Sequence, residues 1–508
     1  MQIINRHPEK RDASIPKHTR HCGVMYLYLL AACISVLGSC SLAPKFDAPP
    51  LPVTPAYPAD TQQQSDLQSS GLIAVETSWR DFFSDPNLQA LIILALENSR
   101  DLRSALLRVE EARAAYGIQR ADQFPTIGVS AEGSRARTPG DLNLTGRSQV
   151  ASQYQVGLGV AAWELDFWSR VRNLKDAALE NFLATDEARR AATISLIVQV
   201  ADGYLALREL NERVVLARQT IASREKSFHI FSRRFEVGAI SRMDLAQVET
   251  LLTQAQSLGA QLEQTRTALV HALTLLVGAR LPELAEDAYN DGTFQELRVG
   301  IPSDLLSQRP DIIAAEHLLK AAHANIGAAR AAFFPRITLT GSFGRASAEL
   351  DGLFETGSRA WLFVPSLSVP IFDAGRNRAG LDLAVVRRDL AVANYEKTIQ
   401  TAFREVSDAL SARYWLTEQV RIQQVALSAQ SERARLAKLR YDNGAAPYLE
   451  VLDAERDLLA AEQQLVQTRR ILLSSRLSLY AALGGGSQYF SEVPSPEALP
   501  LMKTRESK

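Results

Sequence analysis

The sequence predicts a mainly α-helical protein with a transmembrane β-barrel: a trimeric α/β-barrel duct in which each chain supplies four strands and long helices packed as in a coiled coil. Three observations predict it: an internal duplication, two proline-free helical stretches of unusual length, and four segments in which apolar residues alternate with small or polar ones.

The duplication sets the architecture. With an offset of 210, Asn98–Ala136 aligns without a gap on Gln308–Ala346, so that Asp101 meets Asp311, Gly117 meets Gly327, Arg120 meets Arg330 and Phe124-Pro125 meets Phe334-Pro335. Further on the offset becomes 206: Arg234-Phe235-Glu236-Val237-Gly238-Ala239 falls on Arg440-Tyr441-Asp442-Asn443-Gly444-Ala445, and Glu249 falls on Glu455. This period is far longer than a solenoid repeat, so each copy is a half-molecule and the 508 residues form one body built from two halves. The divisions are 1–39, a signal peptide; 40–97, a leader and the start of an equatorial region; 98–290 and 291–486, the two structural repeats; and 487–508, a C-terminal tail.

At the N-terminus, Lys10, Arg11, Lys17 and Arg20 precede an apolar run from Gly23 to Leu37, followed by Gly38-Ser39-Cys40. Charged, apolar and small-residue regions in that order form a secretory signal. Its end resembles a bacterial lipobox. That resemblance implies a covalent N-acyl and diacylglycerol lipid on Cys40, and several acyl chains anchor stably where one alone is marginal. Ser41, where an aspartate would retain a lipoprotein at the inner membrane, favours the outer membrane by the same resemblance. Cys22, Cys33 and Cys40 all lie within or at the end of the signal, so the mature chain forms no intramolecular disulfide. Pro44 to Pro58 reads as a proline-stiffened leader.

Each half then has the order shorter helix, strand, loop, strand, long helix, turn, helix. The first helix spans about Asn98 to Asp122, with Leu102, Ala105, Leu106, Val109 and Ala112 at helical spacing, and its partner covers Pro310 to Ala332. Alternation comes next. Ile127, Val129 and Ala131 oppose Gly128, Ser130 and Glu132, and Tyr154, Val156, Leu158 and Val160 oppose Gln153, Gln155, Gly157 and Gly159. In the second half Ile337, Leu339 and Phe343 oppose Thr338, Thr340 and Ser342, while Phe363, Leu367, Val369 and Ile371 oppose Ser366 and Ser368. The long helices run from Arg170 to Phe235 and from Arg376 to Tyr441, each reaching about 100 Å at about 1.5 Å per residue. No ordinary core is that deep, so they pack lengthwise on other helices. Gly238 and Gly444 break them, helices return from Asp244 to about Leu276 and from Tyr448 to about Leu483, and Gly484-Gly485-Gly486 stops the last one.

A lone four-stranded sheet cannot close, and open edges in lipid leave backbone groups unsatisfied. Chains must therefore share a barrel, and about twelve strands from three chains give a lumen where about eight are filled by side chains. Trp163, Phe167, Trp168 and Trp361 lie near strand ends, where aromatic belts meet the membrane interface. Lys+Arg 56 against Asp+Glu 57 leaves no basic field to hold nucleic acid. Enzymatic motifs are missing too: His229, His271, His317 and His323 lack the spacing of a metal site, and there is no nucleophile elbow or phosphate loop.

These residues resemble the outer-membrane factor (TolC-type) family, in its lipoprotein branch of NodT-like efflux outlets. The resemblance rests on Ile301-Pro302-Ser303-Asp304-Leu305-Leu306-Ser307-Gln308-Arg309-Pro310-Asp311-Ile312 and on Ile326-Gly327-Ala328-Ala329-Arg330-Ala331-Ala332-Phe333-Phe334-Pro335. It also rests on the strand-to-helix junctions Trp163-Glu164-Leu165-Asp166 and Pro370-Ile371-Phe372-Asp373-Ala374-Gly375-Arg376, and covers Cys40 to Gly486; one departure is Ser169, where the family usually carries glycine.

The resemblance implies a homotrimeric, lipid-anchored channel of the cell outer membrane. Its tunnel projects into the periplasm and passively conducts substrates delivered by a periplasmic adaptor and an inner-membrane pump, commonly of the resistance-nodulation-division type. Two sites carry over. The turns with Val237, Gly238, Ala239 and Ser241 and with Asn443, Gly444 and Ala445 match the tips that meet the adaptor. Glu450, Asp453 and Arg456 match a periplasmic gate: Glu450 and Asp453, at i and i+3, share a helix face, and threefold symmetry turns them into carboxylate rings. An exposed Asp453–Arg456 pair of little energetic weight is the alternative at that position. Two further readings stay open at this point, a non-conducting periplasmic lipoprotein tether and an outlet for secreted polypeptides or metal ions.

Overall fold

The computed structural model describes residues 41–47, 49–55, 57, 72–283, 294–298 and 304–490. The signal peptide, Cys40 and most of the C-terminal tail lie outside these residues. In chain order the elements are β1 (Leu72–Ile73), α1 (Trp79–Phe82), α2 (Pro86–Asn98), α3 (Arg100–Ala121), β2 (Ile127–Thr138), β3 (Gln149–Glu164), α4 (Arg170–Glu236) and α5 (Arg242–Val277). The second half continues with β4 (Leu297–Arg298), α6 (Leu305–Gln308), α7 (Pro310–Ala331), β5 (Arg336–Ser347), β6 (Arg359–Ser368), α8 (Arg376–Asp442) and α9 (Tyr448–Ala482). The two long helices have 67 residues each.

The chain groups into two compact units, and each draws on both sequence copies. One comprises Ala115–Leu179 and Lys320–Arg388 with the described residues up to Phe46. Its centre is an antiparallel sheet in the order β2-β3-β5-β6. The register puts Val129, Leu158, Phe343 and Trp361 in one cross-strand row, and Ile127, Val160, Gly341 and Phe363 in the next. Directly opposed residues share a face, so the alternation read in each strand adds up to one apolar sheet face. Val129, Phe343 and Trp361 are 76%, 65% and 75% exposed on it.

Two departures have local causes. β6 ends at Ser368, not at Ile371, because Ser368 stands opposite Arg336, where its partner β5 begins. A bulge between Val160 and Trp163, with Ala162 at φ 49° and its N–H donated to Thr340 Oγ1 at 3.1 Å, keeps Trp163 in register with Leu339. Below the sheet, Trp168 stacks on Phe334 at 4.7 Å and donates its indole N–H to the Pro335 carbonyl at 2.8 Å, which locks the repeated Phe-Pro junction. Ser169 sits at φ 56°, a left-handed conformation that accounts for glycine being usual there.

The other unit comprises 47–114, 180–319 and 389–508. Its core includes an aromatic cluster: Tyr480 stacks on Phe82 at 4.3 Å, with Phe83 and Phe294 packed around them, and the Tyr480 hydroxyl donates to the Thr77 carbonyl at 3.0 Å. Helix α2 is an addition to the elements expected from the sequence. Asp85 caps it by accepting from Asn87 N and Leu88 N, Pro86 opens it, and Leu88, Leu91, Ile92 and Ala95 are buried at helical spacing. The duplication survives in atomic detail. Gly278 at φ 75° lies against the Asn98 carbonyl, and Gly484 at φ 76° lies against the Gln308 carbonyl. Each is a helix stop that leaves no room for a side chain. Arg309, 7% exposed, binds Asp311 at 2.6 Å, Glu405 at 2.8 Å and the Ala482 carbonyl at 3.0 Å, so the Gln308-Arg309-Pro310-Asp311 motif is a structural clasp.

Candidate functional site

The turns that end the long helices share one geometry. In the first, Ala239 N donates to Arg234 O at 2.8 Å and Gly238 N to Phe235 O at 2.9 Å; in the second, Ala445 N donates to Arg440 O and Gly444 N to Tyr441 O at the same distances. These are Schellman caps, which require the left-handed φ of 73° at Gly238 and 69° at Gly444. Val237, Gly238, Ala239, Ser241, Asn443, Gly444 and Ala445 are all exposed, so the pair of turns offers free backbone and small side chains.

Beyond the glycine the two copies differ. Ser241 closes a capping box: its hydroxyl accepts from Asp244 N at 3.1 Å, and Asp244 accepts from Ser241 N at 3.1 Å. At the same offset Pro447 stands for Ser241 and Glu450 for Asp244. Proline has neither the hydroxyl nor the N–H that the box needs. Glu450 instead reaches across the turn to Arg440 of α8, at 2.6 Å. The sequence places Glu450 beside Asp453 but does not single out this partner; the alignment of Glu450 on Asp244 is the signal that could have found it.

One turn further, Asp453 pairs with Arg456 at 3.1 Å, with side chains 42% and 54% exposed. Arg456 also holds Asp457 at 3.0 Å, and Asp457 is held from α8 by Arg433 at 2.7 Å. Hydrogen bonds from Arg433 and then Arg456 keep the Asp457 carboxyl below the ordinary range. The outcome is a ladder of alternating charge on α8 and α9, Arg440–Glu450 and then Asp453–Arg456–Asp457–Arg433.

Beneath this surface the tip is aromatic and apolar. Tyr448 lies 4.5 Å from Phe231 and 4.8 Å from Tyr441, and its hydroxyl donates to Ser227 Oγ at 2.6 Å. The Tyr441 hydroxyl accepts from Arg234 at 2.6 Å. Phe231, Leu245, Val248 and Leu452 form one buried cluster, and Ala434, Ala437, Val451 and Ala454 another, with Tyr448 packed against both. A second feature becomes clear in the fold. Arg224, 3% exposed, donates to the Leu251 carbonyl at 2.6 Å, and burial pulls its pKa down while Glu455 opposes that. Burial pushes the Glu455 carboxyl up, partly offset by Arg224 and Lys438. The coincidence of Glu249 and Glu455 in the two copies was the available signal.

Among the described residues no cluster of His, Cys, Asp and Glu is arranged to hold a metal ion. His317 instead meets Glu180 at 2.6 Å, and the His323 ring meets Phe46 edge-on at 5.4 Å.

A duplicated, mainly helical chain with a four-stranded antiparallel sheet, apolar on one exposed face, and twin helical tips defines a protomer of an outer-membrane α/β-barrel channel. The family model for outer membrane efflux proteins matches residues 91–279 and 301–485, one segment in each copy, and the chain belongs to that family. It is an outer-membrane efflux channel component. Its relatives include the antibiotic efflux pump outer membrane protein ArpC of Pseudomonas putida, 44% identical over 462 residues that cover 91% of this chain and 95% of that one. Outer membrane protein OprJ of Pseudomonas aeruginosa is 44% identical over 453 residues, 89% of this chain and 94% of OprJ. The open-state MtrE outer membrane channel of Neisseria gonorrhoeae superposes with a TM-score of 0.79 at 38% identity, covering 88% of this chain and 99% of MtrE.

Proposed function

We propose that the chain works as a homotrimer whose sheets join edge to edge into one barrel of about twelve strands, a passive exit duct for small organic compounds. The observation that carries this reading is the sheet itself: β2 and β6 are edge strands, and its apolar face carries exposed Val129, Phe343 and Trp361. Edges of that kind in lipid need a neighbour. The exposed tips at Val237–Ser241 and Asn443–Ala445 suit contact with a periplasmic adaptor, which hands over cargo from an inner-membrane pump of the resistance-nodulation-division type. Glu450, Asp453 and Arg456, tripled by symmetry, act as the periplasmic gate, in which paired charges hold a narrow state and free carboxylates admit cations. Acylation of Cys40 anchors the mature chain. That residue lies outside the described region, but Ser41 donates to Asn173 Oδ1 at 3.2 Å and the Leu42 carbonyl accepts from Arg330 at 3.1 Å, both in the sheet-bearing unit, which suits a lipid near the membrane. The name of ArpC, an antibiotic efflux pump protein, supports a small-molecule cargo.

Cross-linking tests the shared barrel. Single cysteines scanned along β2 and along β6, with Cys40 replaced, are expected to give disulfide-linked ladders that end at three chains. Absence of any β2-to-β6 cross-link contradicts it.

A further inference from the structure

On β5 and β6 the apolar face of the sheet ends in a pair of arginines. Beyond the row Val129, Leu158, Phe343, Trp361 comes Ala131, Val156, Arg345, Arg359, two residues or about 7 Å further along each strand. Arg345 and Arg359 are direct cross-strand partners on that face. Arg135 and Arg137 lie on the same face of β2, by the same parity as Ile127 and Val129, but further along that strand and at the other edge of the sheet. Like charges facing each other across strands repel, so such a pair calls for an anion from outside the sheet.

No carboxylate supplies it. At the opposite end of the sheet, Arg170 and Arg336 both pair with Glu164, at 2.8 and 2.6 Å. At this end, among the described residues, none of the four arginines forms an ion pair. Arg345 is partly used: it donates to the carbonyls of Phe354 at 2.6 Å and Glu355 at 3.2 Å and to Ser358 Oγ at 3.3 Å, bracing the loop between β5 and β6. Arg137 donates to Ser148 Oγ at 3.4 Å. Arg135 and Arg359 are exposed.

Guanidinium groups just beyond an aromatic row, on the face that meets lipid, stand at headgroup depth. There a charge costs little and planar donors suit phosphate oxygens. We propose that Arg345 and Arg359 bind a phosphomonoester of a glycolipid headgroup in the outer leaflet. This rests on the reading that the apolar face meets lipid, so the test separates the two.

Full-length protein in mild detergent is offered hexa-acylated, bis-phosphorylated lipid A, its dephosphorylated form, or phosphatidylethanolamine, and retention is read by native mass spectrometry. Wild type is expected to hold the phosphorylated glycolipid about tenfold better than the dephosphorylated one, and Arg359→Gln to lose that margin, with Arg345 left intact to brace its loop. Equal retention of the two glycolipids by wild type overturns the site, as does unchanged selectivity in the Arg359→Gln variant or full displacement by inorganic phosphate. Channel conductance, recorded on the same preparation, reports separately on the duct: a conducting channel without phosphate selectivity refutes the headgroup site alone.

Discussion

Glu450 and Arg440 lie 2.6 Å apart across a tight turn, joining two helices whose counterparts in the other copy are joined differently. Pro447 is the cause, since it denies Glu450 the capping box that Ser241 gives Asp244. Pro447→Ser should restore the box and draw Glu450 away from Arg440. A double-mutant cycle on Arg440→Ala and Glu450→Ala should give a coupling of about 0.3 to 1 kcal/mol in the natural sequence and near zero in the Pro447→Ser background. Equal coupling in both backgrounds means that the proline does not direct the pair.

The Asp453–Arg456 pair is half exposed, so within one chain it contributes little. Replacing both by alanine should alter thermal stability by less than about 0.5 kcal/mol and, on the proposal that three copies of the pair surround one opening, should raise channel conductance. Unchanged conductance returns these residues to an ordinary surface pair.

Glu455 brings a pH dependence. Burial raises its folded-state pKa above the ordinary value near 4.5, so the folded state binds its proton more tightly than the unfolded state does. The stability this confers is complete below the ordinary value and is lost as pH rises through the folded one. Glu455→Gln does not titrate, so its melting temperature minus that of the natural protein should grow as pH rises through that window. A difference that is flat with pH refutes the assignment.

The glycines separate backbone strain from steric exclusion. Gly238 and Gly444 have nothing within 4 Å of where a Cβ would stand, so alanine at either should cost only about 1 kcal/mol, the left-handed penalty. At Gly484 the added Cβ would stand 2.7 Å from the Gln308 carbonyl oxygen, and Gly278 is as crowded by Asn98. Alanine there should cost about 1 to 3 kcal/mol more, read by thermal unfolding.

Legibility in the sequence depended on what each residue needed. The long helices and returning helices were found to within two residues because proline-free runs and glycine breaks are local signals. Apolar alternation locates the strands but overruns β6, since Val369 and Ile371 continue the pattern beyond Ser368, where the partner strand β5 has no residue left to pair. Helix α2 is not among the expected elements although Asp85-Pro86 and Leu88, Leu91, Ile92 and Ala95 spell its cap and buried face. Asp453 and Arg456 were legible as neighbours on one helix. Arg440 was not, because it belongs to another helix, and Arg224 was not, because burial is a tertiary fact.

Single-channel recording tests the central claim most directly. The mature protein, purified in mild detergent and added to a planar bilayer, should insert as a heat-resistant trimer and give discrete conductance steps. A monomer that inserts without conductance would contradict a shared duct and return the chain to a tether.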